Sequence, residues 1–151
     1  MTTETEAFLA QMVPAQSAAD AEIHNGDPLP RIALWSHHDP VSLFGANLTV
    51  SGWSDVERAF HEVASWFGGS ISWDFEVLHA QASGDLAYTV AYENSEAITD
   101  GVRRKYRLRV THLYRREDGV WKIIHRHADF APDETTPLFE DSSGKASSEQ
   151  R

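Results

Sequence analysis

Residues 103–129, RRKYRLRVTHLYRREDGVWKIIHRHAD, constrain the fold more than any other part of the chain. They read as two long strands joined by a tight turn at Glu117-Asp118-Gly119, rich in the aromatic and β-branched residues of a packed sheet. Polar side chains at Arg107, Arg109, Thr111, His125, His127 and Asp129 recur at every second position, so they share faces. A sheet face with two histidines, an aspartate and two arginines is either solvated surface or the lining of a polar pocket.

The turn decides which of these residues meet. A two-residue Asp-Gly turn pairs Glu117 with Val120 and puts His112 and Tyr114 beside His125 and Ile123. A three-residue loop pairs Arg116 with Val120, which sets Thr111 opposite His125, Arg109 opposite His127 and Arg107 opposite Asp129. The second register is preferred because it gathers the polar groups and keeps Leu113 beside Ile123 and Trp121. A slip of one residue would turn every side chain to the other face.

Upstream, residues 5–25 carry Phe8, Met12, Ala15, Ala19 and Ile23 at helical spacing, with Pro14 as a kink or fresh start. A short helix at 29–35 presents Ile32 and Trp35, and 41–45 reads as a short buried strand. Ser54-Asp55-Val56-Glu57 reads as a capping box opening a helix whose face carries Val56, Phe60, Val63 and Phe67. Alternating patterns at 71–79 and 86–92 add two more strands before the hairpin. Helices first and an antiparallel meander afterwards is an α+β plan, with the N-terminal helices covering one face of a strongly bent sheet.

Size and charge bound the function. A chain of 151 residues, 41% hydrophobic and 24% charged, suits one soluble domain. A net charge of −10 argues against nucleic acid as a partner. There is no cysteine, hence no disulfide or thiolate chemistry. No secretory signal or membrane-spanning run is visible, so a cytoplasmic protein is expected. The expected domain is 1–131, and the acidic, Ser-rich segment 132–151 is expected to stay disordered. A homodimer is expected, with Trp73, Phe75, Val90 and Leu108 as candidate contacts.

The order of elements resembles the cone-shaped fold of nuclear transport factor 2, ketosteroid isomerase and the SnoaL-like polyketide cyclases. RVTHLYRREDGVWKIIHRHADF resembles the closing hairpin of SnoaL-like domains and of the calcium/calmodulin-dependent kinase association domains. SGWSDVERAF is similar to the family's glycine and sheet-covering helix. The resemblance implies an apolar pocket and a scaffold that serves isomerases, dehydratases, cyclases and non-catalytic domains alike. The Asp base that ketosteroid isomerases carry near the first strand has no counterpart in Val41-Ser42-Leu43-Phe44-Gly45. By similarity with SnoaL-type cyclases, Asp129 would act on the last strand with His112 or His127 nearby.

The candidate site follows. His127 would carry a proton, Asp129 would orient it or act as base, and Arg109 would hold an enolate or anionic oxygen. His125, Thr111 and Arg107 would complete the network, with Tyr92, Tyr88, Trp35 and Phe44 as apolar walls and His38 and Asp39 at the rim. The same polar residues could equally bind without chemistry or tie the strands together. His125-x-His127-x-Asp129 also has the look of a metal motif, but adjacent arginines disfavour a cation, so neither metal nor cofactor is expected. Glu93 and Glu96 read as edge residues, and His24, His61 and His79 as helix-end or surface residues. The reading is a protein that holds a small, partly apolar molecule and performs cofactor-independent isomerase, dehydratase or cyclase chemistry on a carbonyl compound. The alternative is a non-catalytic ligand-binding or oligomeric scaffold domain.

Overall fold

Thr3 accepts a hydrogen bond from the Glu6 amide at 3.0 Å and starts α1 (Glu4–Ile23), the helix that the rest of the chain is laid upon. Its inner face buries Phe8, Met12, Gln16, Ala19, Asp20 and Ile23, and it runs without a break through Pro14. Ala15, expected inside, is exposed; Gln16 and Asp20 take the inner positions instead. In this computed structural model, which describes residues 2–45 and 47–133, there follow α2 (Leu29–Leu34), β1 (Ser42–Phe44), β2 (Thr49–Ser51) and α3 (Trp53–Ser65). Four long strands complete the chain: β3 (Phe67–Ser83), β4 (Leu86–Thr99), β5 (Val102–Glu117) and β6 (Val120–Phe130). The segment expected to be disordered lies, from residue 134 on, outside the described residues.

The sheet runs β2-β1-β6-β5-β4-β3, antiparallel throughout except where β1 lies parallel to β6. The α+β plan holds, with helices on the concave face. Phe8 seats edge-on against Tyr114 and Trp121, at ring distances of 4.8 and 5.2 Å, and Trp35 does the same with Phe60 at 5.1 Å. Trp35 is thereby a core residue and not a pocket wall.

Two-residue turns close the last hairpins. Asp118 and Gly119 both have positive φ, of 50° and 78°, as do Asp100 and Gly101 in the preceding turn. That backbone matches the strand twist and favours Asp-Gly. Near the turn, Glu117 therefore pairs with Val120, which corrects the preferred three-residue register. A bulge then shifts the pairing between Tyr114 and Leu113, so that Leu113 lies opposite His125, Thr111 opposite His127 and Arg109 opposite Asp129. The polar residues thus do share one face, two positions away from the expected partners.

α3 corrects a second expectation. Gly52, at φ 92°, is its N-cap and Ser54 lies inside the first turn, so the expected capping box does not form. The cap comes from outside the helix: Asp39 Oδ1 accepts the Trp53 amide at 2.8 Å. Phe67, expected on this helix face, opens β3 instead. The Asp39 bond makes a measurable prediction. Asp39→Ala should cost about 1 kcal/mol of stability in urea unfolding, and Asp39→Asn should recover most of it.

Candidate functional site

The polar end of the concave face is built by one helix stripe and two strands. Gln16, Asp20 and His24 are four residues apart on α1 and point the same way, toward inward positions of β4 and β5. On β4 the inward residues are Ala87, Thr89, Ala91, Glu93, Ser95 and Ala97; Tyr88, Val90 and Tyr92 alternate to the outside. Small side chains inside let α1 approach the sheet, and the bulky ones are displaced outward.

Two buried ion pairs cross this layer. Arg126 holds Glu93 bidentately, Nη1 to Oε2 at 2.6 Å and Nη2 to Oε1 at 2.9 Å. Arg31 Nε donates to Asp20 Oδ1 at 2.9 Å, and its Nη2 reaches the same oxygen. Burial alone would raise the Glu93 carboxyl, but the charge and hydrogen bonds of Arg126 outweigh it and bring it down to about 2. Glu93, read from sequence as an edge residue, is therefore a buried anion at the heart of the sheet.

His112 fills the space between Arg126 and α1. Gln16 Nε2 donates toward His112 Nδ1 at 3.2 Å, Arg126 Nη1 lies 3.3 Å from His112 Nε2, and Tyr114 Oη donates to Gln16 Oε1 at 2.6 Å. Burial, reinforced by the Arg126 charge, pushes the His112 imidazole well below its ordinary range. Flanked by donors, this ring is neutral and structural.

His24 differs because it faces open space. Its Nδ1 donates to the Asp20 carbonyl at 2.5 Å, which leaves Nε2 as the acceptor for the Tyr106 hydroxyl; Ser95 Oγ is 3.5 Å from the same nitrogen. Burial lowers the His24 pKa to about 4 and raises that of the Tyr106 phenol. Both residues line a cavity of about 870 Å³. Its polar end is completed by Arg31, Glu93 and Arg126, and its apolar walls include Leu43, Phe60, Val63, Leu108, Ala128 and Phe130. A neutral imidazole behind a protonated phenol can take up or return one proton at the cavity surface.

Most of the residues expected to form the site, His127, Asp129, Arg109, His125, Thr111, Tyr92 and Tyr88, occupy the opposite, convex face. Arg109 pairs bidentately with Asp129 at 2.6 and 2.8 Å, and its hydrogen bonds hold the Asp129 carboxyl below the ordinary range. His127, Thr111 and Tyr92 line a shallower concavity of about 300 Å³ with this pair. His125 accepts from or donates to Ser42 Oγ at 2.7 Å, and Phe44 stands edge-on to both histidine rings. Arg107 lies over the Tyr92 ring at 3.6 Å, while Tyr88 is exposed on the same face. His38 contributes its backbone carbonyl to Arg115, and Asp39 caps α3. Among the described residues no three His, Asp or Glu side chains come together as a metal would need.

Comparison with known proteins agrees with this architecture. The SnoaL-like domain matches residues 7–132. The chain belongs to the SnoaL-like family. No curated protein matches it in sequence. Among solved structures, a ketosteroid isomerase-like protein from Erwinia carotovora atroseptica is 18% identical with a TM-score of 0.67, covering 83% of this chain and 97% of its own. A proposed dehydratase of the NTF2-like family from Streptomyces avermitilis is 21% identical, with a TM-score of 0.66 over 84% and 98% of the two chains. A proposed calcium/calmodulin-dependent protein kinase II association domain from Thiobacillus denitrificans is 19% identical, with a TM-score of 0.67 over 80% and 95%. At such identities the likeness is one of fold.

In this SnoaL-like domain the signal for the inner cluster was present in the sequence as the polar i, i+4, i+8 series Gln16, Asp20, His24 beside an apolar stripe. No helix of the described residues is long and apolar enough to cross a membrane. The buried histidines predict a pH response. His24 and His112 are depressed in the fold and titrate near 6.5 when unfolded, so the unfolded chain binds more protons at acid pH. Stability is then full above pH 6.5 and falls as pH drops toward 4, by up to about 1.4 kcal/mol per pH unit for each histidine. Urea midpoints should fall markedly between pH 7 and pH 5, and level midpoints would contradict neutral burial of both rings.

Proposed function

We propose that this SnoaL-like protein binds a small, partly apolar carbonyl compound in the concave cavity and moves a proton on it, as an isomerase, dehydratase or cyclase would. The observation that carries the reading is the Tyr106–His24 pair at the polar end of the cavity, backed by the Asp20 carbonyl. The phenolic oxygen can accept a proton from the ligand as its own proton passes to His24 Nε2, and the reverse transfer returns it. The Asp20 carbonyl keeps Nδ1–H bonded throughout and fixes the tautomer. The low basicity of His24 makes the charged form short-lived, which suits a relay that returns its proton. The walls fit the ligand class: about 870 Å³ lies within the range of small-molecule pockets. No cofactor is needed for such a step.

Exchange of α-protons tests it. Small cyclic ketones and β-hydroxy carbonyl compounds that bind the protein should exchange α-protons in D2O under its catalysis, followed by NMR. Tyr106→Phe and His24→Gln should each slow that exchange on the order of a hundredfold while ligands still bind. Bound ligands that never exchange would leave the non-catalytic alternative, a binding or assembly domain with the same cavity.

A homodimer through the convex sheet face belongs to the same reading. Leu78, Tyr88 and Leu113 are exposed there beside Phe44, and Val90 faces the same side. Trp73, Phe75 and Leu108 face the concave side and take no part in such a contact. Sedimentation at micromolar concentration should show twice 16.9 kDa, and Leu78→Glu with Leu113→Glu should return the monomer. A wild-type monomer at that concentration would rule this assembly out.

A further inference from the structure

The charges around the concave cavity are distributed unevenly. At its deep end the two arginines are neutralised, Arg31 by Asp20 and Arg126 by Glu93. At its mouth, β5 contributes Arg104 and Lys105, both exposed. Among the described residues neither side chain makes a hydrogen bond or an ion pair. The neighbouring carboxylate Glu96 is engaged by Arg103; Lys105 only adds to the field that holds Glu96 low. Asp100 is the carboxylate of the mouth itself, set on the positive-φ turn between β4 and β5. Arg107 also reaches the mouth, with its guanidinium engaged by Glu76 at 3.4 Å and by the Tyr92 ring.

Two unengaged cations are unusual in a chain of net charge −10, where 23 carboxylates compete for 13 Lys and Arg residues. Leaving them unpaired at a cavity mouth creates a local positive field within a repulsive surround. Apolar groups line the same cavity: Trp66, Phe67, Leu108 and Phe130. A ligand that satisfies both has a negative group at one end and an apolar body at the other. An uncharged apolar molecule would leave both cations unused, and a polyanion would find no partner for its second charge deeper in, where the arginines are already paired.

We propose that the cavity takes a partly apolar organic anion, whose charged group is held at the mouth by Arg104 and Lys105 while its body fills the apolar walls. This rests on the cavity being the binding site, and it narrows the carbonyl compounds above to those carrying an acidic group. The mouth cations also select: in this acidic molecule they draw anions to the opening and favour entry body first, which brings the far end of the ligand to Tyr106 and His24.

A pair of dyes with the same aromatic body separates the charge from the cavity. Anilinonaphthalene sulfonate is an anion and phenylnaphthylamine is neutral, and both are followed by fluorescence on the full chain. The sulfonate should bind roughly tenfold more tightly than the neutral dye, the scale of two partly exposed ion pairs. Arg104→Gln with Lys105→Gln should abolish that preference without changing the affinity for the neutral dye. Raising sodium chloride from about 20 to about 500 mM should do the same. Val63→Trp, which narrows the apolar wall, should weaken both dyes. Decanoate should displace the sulfonate at concentrations where decanol does not. Equal affinity for the two dyes, both weakened by Val63→Trp, would overturn the anion and leave the cavity reading standing. Binding of neither dye, or binding that Val63→Trp leaves untouched, would sink both.

Discussion

Glu93 and Arg126 form an ion pair withdrawn from water in the middle of a β-sheet, and much of the concave face is arranged around that fact. Taking two such charges out of water costs several kcal/mol each, and their attraction offsets this only with near-ideal geometry and further hydrogen bonds. The bidentate contact supplies the geometry. His112, Gln16, Tyr114 and Thr89 supply the continuation, a chain of donors and acceptors that runs from Arg126 through the inner face of α1 and back to the sheet. Each group in that chain fixes the protonation state of the next. His112 stays neutral because one of its ring nitrogens accepts from a neighbouring donor, and Tyr114 stays protonated because it donates to Gln16. Such a layer adds little net stability and a good deal of specificity, since any slip of α1 along the sheet would strand a buried charge.

The layer also separates two environments on the same face. On one side lies the aromatic core of Phe8, Trp35, Phe60, Tyr114 and Trp121. On the other lies the cavity, where Arg31, Glu93 and Arg126 present their edges and His24 and Tyr106 present a proton. A cavity beside a buried hydrogen-bonded network has the side chains at its polar end held in place without needing a loop to order them. The convex face is a different object. Its Arg109–Asp129 pair and its histidines are half exposed and solvent-screened, with exposed apolar groups between them.

Much of this was legible in the residues. The helix spacing and the alternation in the last strands report local physics, and local physics placed the elements in order. The bulge at the end of the last hairpin was not legible, because it is set by where Tyr114 and Ile123 must meet the core and where Arg126 must meet Glu93. The inward placement of the polar series on α1 is set by tertiary packing in the same way. Gln16, Asp20 and His24 look like the solvated side of a helix until His112 and Tyr114, Arg31, and Tyr106 and Ser95 arrive from the sheet and α2 to pair with them.

The sequence by itself determined the alternation: which residues of each strand travel together, and hence that His125, His127 and Asp129 would share a face with Arg109 and Thr111. It could not determine which face is the inside. Alternation has two solutions of equal local energy, and the choice between them is made by the helices. The helices cover the face on which β4 carries Ala87, Ala91 and Ala97, so the small side chains go in and Tyr88, Val90 and Tyr92 go out. Only when that choice is made by tertiary packing does Glu93 become a buried anion, Tyr106 a cavity wall and the histidine-rich face an outer surface.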